Sequence, residues 1–358
     1  MDMKKFFVCF LVLAVFATCS QNEPANKGPE HFVVAYCFDN TITPDPSIVT
    51  HINYAFGHVT DTYDGVRIND EAQLRRIVAL KEQKPSLKVL LSIGGWGSGR
   101  FSEMSAVTKY RKAFAADCKR VVDEFGLDGI DLDWEYPTQN WHPAVAGSPE
   151  DFGNYTLLSI DIRKAIGEDK LLTMATLADA DPIIDWAVIE PYYSFFNIMT
   201  YDLAMLNWTP ATRPGHQGAL YRSDKVLRIS CEEAVDKHIA AGIPVEKLNL
   251  GVLLGGGRGQ SFWRTDPADR TSRFDLNALP EGFTYQWDDV AKASYITNPE
   301  GVFVYSFECD RAIKHKCDFI KERGLLGIMY WAYNSQAPVL SKIMYDRLID
   351  NKVDSDPY

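Results

Sequence analysis

The segment 128–137 carries an alternating row of acidic side chains. Its sequence is DGIDLDWEYP, so Asp131, Asp133 and Glu135 stand at every second position. Because side chains on a strand alternate between its two faces, a strand here would place these carboxyls on one side. Like charges at this spacing repel, and burial adds to the free energy of ionising them. The pattern indicates a site in which carboxyls share protons and the last one, Glu135, is held protonated as a general acid.

Two other interpretations of this row remain open. A solvated acidic strand would need no chemistry, and a metal site would use the carboxyls as ligands. No histidine lies close enough in the sequence to complete a metal site, and Trp134 and Pro137 supply no ligand atom. We therefore predict no metal and no cofactor.

The rest of the chain alternates strand-like with helix-like segments. The strand-like runs are 31–38, 50–59, 87–95, 126–135, 170–177, 195–202, 248–254 and 324–333. Helical patterns lie at 71–83, 106–124, 152–166, 231–241 and 309–321. This alternation predicts parallel strands in a closed (β/α)8 TIM barrel, of the α/β class, whose active sites lie at the carboxyl ends of the strands. An open doubly wound sheet is the alternative, but no glycine-rich phosphate loop follows the first strand.

The N-terminus has the plan of a targeting segment. A basic start, an apolar run and small residues before Cys19 predict a signal peptide over 1–19, followed by a polar tether over 20–30. Cys19 and the polar residues after it resemble the lipid-modified cysteine of bacterial lipoproteins, and cleavage after Ala17 without lipid is the alternative. We expect an exported protein, anchored to a membrane only through Cys19 and lying in the periplasm or on the cell surface, or otherwise secreted.

One catalytic domain is predicted over 31–350, with a small α+β insertion at about 256–300 between the seventh and eighth strands. A net charge of −11 and the absence of any basic run argue against a nucleic-acid partner. The cysteines after the signal segment are odd in number and lack metal-site spacing, so we expect buried thiols. We expect a monomer.

The acidic row resembles the DxxDxDxE signature of glycoside hydrolase family 18, and the full DGIDLDWEYP is similar to its chitinase branch. Three more segments resemble family motifs in the same order: LSIGGW at 91–96, NIMTYD at 197–202 and GIMYW at 327–331. The resemblance extends from about residue 33 to residue 333. It implies the same barrel, and an enzyme that hydrolyses β-1,4-linked N-acetylglucosamine chains such as chitin or chito-oligosaccharides.

The resemblance also implies a retaining mechanism in which the 2-acetamido group of the substrate is the nucleophile. Glu135 would be the general acid and then the base. Asp133 would orient the acetamide, with Asp131 behind it. Tyr201 would donate its hydroxyl to the acetamide oxygen, and Asp202 would contact the distorted sugar.

Aromatic side chains are expected to line the sugar-binding cleft. The resemblance makes Trp331 the floor of the pocket, and Met199 shares the inward direction expected of barrel strands. The other candidate substrate contacts are Tyr36, Phe56, Gly95, Trp96, Tyr136 and Trp208. For the aromatic members of this set, packing in the core remains the alternative.

The seventh strand departs from the family pattern, because GVLLGGGR at 251–258 has no aromatic residue before its glycine and arginine. We therefore expect a more open groove that accepts soluble oligosaccharides. Two other functions remain open: an endo-β-N-acetylglucosaminidase acting on N-glycan cores, and a non-catalytic sugar-binding barrel. The complete set of acidic and tyrosine residues favours catalysis.

Overall fold

The computed structural model describes residues 31–38, 41–180, 183–204, 215–254, 279–335 and 337–352. The strands of this part are β1 (Phe32–Cys37), β2 (His51–Val59), β3 (Val66–Ile68), β4 (Lys88–Gly94), β5 (Gly129–Asp133), β6 (Leu171–Leu177), β7 (Phe195–Met199), β8 (Leu248–Leu253), β9 (Thr284–Asp288), β10 (Ala293–Thr297), β11 (Phe303–Phe307) and β12 (Gly327–Trp331). The helices are α1 (Glu71–Ala79), α2 (Phe101–Ala106), α3 (Thr108–Phe125), α4 (Asp151–Ile166), α5 (Trp186–Ile189), α6 (Cys231–Ala240), α7 (Asp310–Arg323) and α8 (Ala337–Leu348).

Eight of the strands form a closed parallel barrel. Their order around the barrel is β1, β2, β4, β5, β6, β7, β8 and β12, and β12 pairs again with β1. The carboxyl ends of all eight strands therefore meet at one rim, as the sequence predicts. The prediction of a (β/α)8 barrel is confirmed.

Strand periodicity separates the two sides of the barrel wall. On β5, Ile130 and Leu132 are fully buried in the apolar layer beneath the helices, whereas Asp131 points inward. The helices are bounded by ordinary caps. Ser230 and Glu233 form a reciprocal capping box at the start of α6, and Gly126 ends α3 in the left-handed region that glycine adopts readily.

The barrel interior changes from apolar to polar along its axis. At the amino ends of the strands, the rings of Phe32, His51 and Phe195 pack with centroids 4.4–5.6 Å apart. Above this plug lies a layer of hydrogen-bonded polar side chains that includes Asn197 and Asn249. The acidic row therefore begins above a packed and hydrogen-bonded part of the barrel interior.

The insertion between the seventh and eighth barrel strands, β8 and β12, includes a separate antiparallel sheet in the order β11, β10, β9. A small apolar cluster of Ile296, Val304 and Tyr305 supports it, and its last strand ends at Phe307, beyond the predicted limit near residue 300. The earlier part of the insertion, 255–278, lies outside the described residues. So do the predicted signal peptide and tether, which remain predictions.

The described cysteines are all free thiols. Four of them are buried, and Cys309 is partly exposed. Within the described ranges, no helix is both long and apolar enough to cross a membrane.

Candidate active site

Strand β5 presents the acidic row at the carboxyl rim of the barrel. Asp131 and Asp133 lie on its inward face, and Glu135 follows two residues after the strand ends, where its side chain is partly exposed. Trp134 points the other way and stacks on Phe101 with the ring centroids 5.2 Å apart. The sequence prediction that alternate residues face the barrel interior therefore matches the arrangement of the strand.

Asp131 lies deepest and accepts hydrogen bonds from four side chains. Its Oδ2 receives the hydroxyls of Tyr36 and Ser92, each at 2.8 Å. Its Oδ1 receives the Thr173 hydroxyl at 2.5 Å and the Asn197 amide at 3.4 Å. Burial raises the pKa of Asp131 to about 6, and the four donors oppose that shift because they favour the charged form.

Asp133 lies one step nearer the rim and is only 4% exposed. Burial raises its pKa well above the usual range, and the charges of Glu135 and Asp131 raise it further. Its Oδ1 has no hydrogen-bond partner among the described residues. A buried polar atom without a partner is unfavourable by about 1–3 kcal/mol, so this oxygen is suited to a donor that a ligand supplies.

Glu135 has the electrostatics of a general acid. Burial raises its pKa to about 7, a hydrogen bond from Tyr136 opposes the shift, and the charge of Asp202 adds to it. Burial also raises the pKa of Asp202 to about 7. A carboxyl that titrates near neutral pH can both donate and accept a proton there, which acid–base catalysis requires.

Strand β7 delivers Tyr201 and Asp202 to the same rim. Both are partly exposed, and burial together with the charges of Asp133 and Glu135 raises the pKa of Tyr201 well above its usual value, so its hydroxyl stays a donor. The preceding residue, Thr200, fixes this turn because its hydroxyl bonds both the carbonyl and the amide of Gly251, at 2.7 and 2.8 Å. Asp202 itself takes a positive φ of 57°.

Trp331, at the end of β12, is the centre of an aromatic group. Its ring stacks on Phe56 with the centroids 5.5 Å apart and the planes 18° apart. Tyr36 and Phe38 approach the same ring, at 6.0 and 5.5 Å. Met199 belongs to the same inward-facing apolar cluster as Tyr36 and Trp331. Tyr36 is only 2% exposed, so it lies beneath the cleft rather than along its wall, and its hydroxyl serves Asp131.

Gly94 and Gly95 allow β4 to approach the end of β5 closely. The Gly95 amide donates to the carbonyl of Asp133 at 2.8 Å. A Cβ on Gly94 would lie 1.9 Å from the same carbonyl oxygen, and one on Gly95 would lie 2.5 Å from the ring of Phe56. Gly95 therefore contributes to the site through its backbone.

The remaining predicted contacts lie on loops beside Glu135. Trp96 follows β4 and is 42% exposed, and Tyr136 follows Glu135 and makes an edge contact with the ring of Trp141. Trp208 lies outside the described residues. Asp128 lies at the opposite end of β5, where it accepts hydrogen bonds from Lys81 and from the Val89 amide.

Sequence reasoning missed several residues of the site. The donors Ser92, Thr173 and Asn197 are polar residues within otherwise apolar strands, and their inward parity is a signal that would have identified them. Phe38 and Trp141 are exposed aromatic residues after a strand, in a chain rich in scattered aromatics, and only the fold distinguishes them.

No group of three or more histidine, cysteine or acidic side chains within the described ranges has the arrangement of a metal site. The three carboxyls on β5 and just after it instead form a graded row with increasing access to solvent. Together with a tyrosine donor and an aromatic platform, the row can transfer protons to and from a bound ligand.

Comparison with known proteins identifies the family. The sequence profile of the glycosyl hydrolases family 18 matches residues 21–335, and the chain belongs to this family. It is 32% identical to chitinase A1 of Niallia circulans over 80% of this chain and 45% of that protein, so it spans less than half of this relative. It is 29% identical to chitinase 1 of Aphanocladium album over 83% and 74% of the two chains.

A solved structure gives the same result. A family 18 N-acetylglucosaminidase from Paenibacillus barengoltzii is 31% identical, covers 88% of this chain and 99% of its own, and superposes with a TM-score of 0.73. The resemblance drawn from the four sequence motifs is therefore confirmed at the level of family and fold.

Proposed function

We propose that this protein hydrolyses β-1,4-linked N-acetylglucosamine chains, as found in chitin and chito-oligosaccharides, with retention of anomeric configuration. The observation that carries the proposal is the pair of carboxyls at the end of β5. Glu135 has a pKa of about 7, and the neighbouring Asp133 is buried with an oxygen that no described residue satisfies. An acetamido N–H of the substrate would supply the missing donor.

The reaction proceeds through the acetamido group of the substrate. The acetamide oxygen attacks the anomeric carbon, the bond from this carbon to the leaving oxygen breaks, and Glu135 gives its proton to that oxygen. The Glu135 carboxylate then takes a proton from water, and the water oxygen attacks the anomeric carbon and opens the oxazolinium ring. Both displacements invert the same carbon, so the product retains the β configuration.

Each surrounding residue stabilises a charge or holds the substrate in position during these reaction steps. Asp133 accepts the acetamide N–H and stabilises positive charge on the ring that forms. Asp131 lies behind Asp133 and controls the proton that the two carboxyls share. Four hydrogen-bond donors fix its carboxylate in place. Tyr201 donates to the acetamide oxygen, and Trp331 supports the apolar face of the sugar.

The relatives support this substrate class. The two sequence relatives named above are chitinases, and the solved structure is an N-acetylglucosaminidase. Because that last protein matches over nearly its whole length, release of single N-acetylglucosamine units from a chain end is a second candidate.

The test compares the products formed from defined substrates. The protein is incubated with N-acetylglucosamine oligomers of two to six units, with a cello-oligosaccharide that lacks the acetamido group, and with an N-glycopeptide. We expect cleavage of the N-acetylglucosamine oligomers alone. Internal cuts would indicate chitinase action, and release of single units from a chain end would indicate the second candidate. Cleavage of the glycopeptide alone would move the activity to N-glycan cores. Binding of the oligomers without cleavage would make the protein a sugar-binding barrel.

We further propose that the protein is exported and attached to a membrane by a lipid on Cys19. The basic, apolar and small-residue plan of residues 1–19 supports this. Metabolic labelling with a radioactive fatty acid should mark the wild-type protein and leave Cys19→Ser unlabelled. Labelling of neither protein, with secretion of both, would contradict lipid attachment and support plain cleavage.

A further inference from the structure

We propose that a buried ion pair between Glu308 and Lys316 positions the two rim residues that follow β7. The pair acts through residues 215–220, a segment that we call the strap, and the strap holds the rim turn, residues 200–203. Glu308 and Lys316 are therefore positioning residues, because they act on the site through other residues. The inference rests on the proposed function, which places Tyr201 and Asp202, within the rim turn, at the reacting sugar.

The strap is attached to the rim turn just after Asp202. The Leu203 amide donates to the carbonyl of Gln217 at 3.0 Å. Asp202 has a positive φ of 57°, in the left-handed region that residues other than glycine seldom adopt. Such a conformation persists only where the surrounding contacts hold it. The bond from Leu203 to the strap is one of these contacts.

A second attachment lies just before Tyr201. The Cys231 thiol, at the start of α6, lies 3.6 Å from the carbonyl oxygen of Thr200 and 3.6 Å from that of Gly218. The thiol therefore bridges the rim turn and the strap. Tyr201 and the residue after it stand between two attachments to the same short segment.

The ion pair lies against the middle of the strap. Lys316, on α7, is 0% exposed, and its Nζ bonds Oε1 of Glu308, which follows β11. A Cβ on Gly218 would lie 2.7 Å from this Oε1, 3.3 Å from the Lys316 Nζ and 3.6 Å from the Thr200 carbonyl oxygen. The ion pair, the strap and the rim turn therefore meet at one point, where there is no room for a side chain on the strap.

The start of the strap is joined to the insertion. Nε2 of the buried His216 lies 3.1 Å from Oδ2 of Asp288, on β9. The Gln217 amide donates to the Ser306 hydroxyl, on β11, at 3.3 Å. Because these bonds hold the start of the strap, we expect a displacement of its middle to move the rim turn.

Stability alone does not account for the pair. The free energy of removing two charges from water offsets much of their attraction, so apolar side chains of similar volume are often equally stabilising. An ammonium and a carboxylate that must meet have a narrower choice of positions than two apolar groups. The pair is therefore suited to fixing the strap in one place.

The test removes the pair without leaving a buried charge. The pair variant is Glu308→Leu/Lys316→Met, because either substitution alone would leave one charge unpaired and could prevent folding. The matched control is Asp318→Asn/Arg347→Met, which removes an ion pair between α7 and α8. Thermal unfolding shows that each variant is folded.

Hydrogen exchange followed by mass spectrometry reports on the rim turn without any ligand. We expect the amides of 200–204 to exchange about tenfold faster in the pair variant and those of β5 to exchange as in the wild type. The control should match the wild type in both segments. Unchanged exchange at 200–204 in a folded pair variant would overturn the proposal, whatever its activity.

Hydrolysis of the N-acetylglucosamine hexamer tests the consequence for catalysis. We expect kcat to fall about tenfold in the pair variant with KM within about twofold of the wild type, because Tyr201 donates to charge that develops during the reaction. In a Tyr201→Phe background the loss should be at most about threefold, since the donor is already gone and only Asp202 remains to be displaced.

Two results separate failure of this proposal from failure of the proposed function. A tenfold loss of kcat in both backgrounds would overturn the coupling of the ion pair to Tyr201. If the wild type cleaves no oligomer but the pair variant exchanges faster at 200–204, the positioning role stands and the proposed function is refuted.

Discussion

Replacing Glu135 with glutamine should stabilise the folded protein at pH 8 and should have no such effect at pH 4. The reason is the environment of the side chain, which disfavours the charged carboxylate. The pKa of Glu135 rises from 4.5 to about 7 on folding, chiefly because of burial, with the charge of Asp202 adding to the shift. Glutamine is neutral at every pH and has nearly the same shape.

The magnitude follows from proton linkage. Below pH 4.5 the carboxyl is protonated in both the folded and the unfolded protein, so its raised pKa has no destabilising effect. As the pH rises towards 7, the unfolded state ionises first and the free energy of unfolding falls by about 1.4 kcal/mol for each pH unit. The full shift corresponds to about 3 kcal/mol, and partial contact with solvent reduces this to about 2 kcal/mol.

The assay is urea unfolding of the wild type and Glu135→Gln at pH 4, 6 and 8. We expect the difference in free energy of unfolding, variant minus wild type, to be about 2 kcal/mol larger at pH 8 than at pH 4. Glu322→Gln, at an exposed position on α7, is the control for loss of a carboxylate from the surface. A Glu135→Gln difference that does not depend on pH would refute the claim that the folded site disfavours the Glu135 carboxylate.

Three further perturbations test the surroundings of the acid. Asp202→Asn removes a charge that raises the pKa of Glu135, so the alkaline limb of the kcat/KM profile should move to lower pH by up to about one unit; an unmoved or raised limb would contradict this. Gly95→Ala should lose about 2 kcal/mol of stability in urea unfolding and most of its activity, because the methyl would meet an aromatic ring at 2.5 Å and φ is +87°. Gly126→Ala shares the positive φ but has open space, and a loss as large as at Gly95 would show that the ring contact is irrelevant. Tyr36→Phe removes one of four donors to the buried carboxylate beneath the site and should lose about 1–2 kcal/mol; wild-type stability on urea unfolding would argue against this role.

The barrel could be predicted from the sequence because the hydrophobic periodicity of helices and the alternation of side chains along strands are properties of short segments. All eight predicted strands are present, and each is shorter than the run predicted for it. The run 126–135, for example, narrows to Gly129–Asp133, because the residues after Asp133 leave the ladder and form the rim of the site. Helix α8 was not predicted, and its alternation of apolar and polar residues is weak.

Other parts of the site depend on contacts between distant segments. The acidic row follows from its own spacing, but its donors come from β1, β4, β6 and β7, and their inward parity alone does not show that they meet at Asp131. The same is true of Trp141. The loop that carries it is bonded to Asp151 and lies close to glycines in another loop, and these contacts exist only after folding.

Comparing the wild type with Glu135→Gln shows whether Glu135 is the catalytic acid. The hydrolysis of N-acetylglucosamine hexamer by the wild type and by Glu135→Gln is followed by proton NMR, which gives both the rate and the anomer that forms first. We expect initial β-anomer products from the wild type and a loss of about 10²–10⁴-fold in rate for the variant. A variant within tenfold of the wild type, or an α-anomer as the first product, would contradict it.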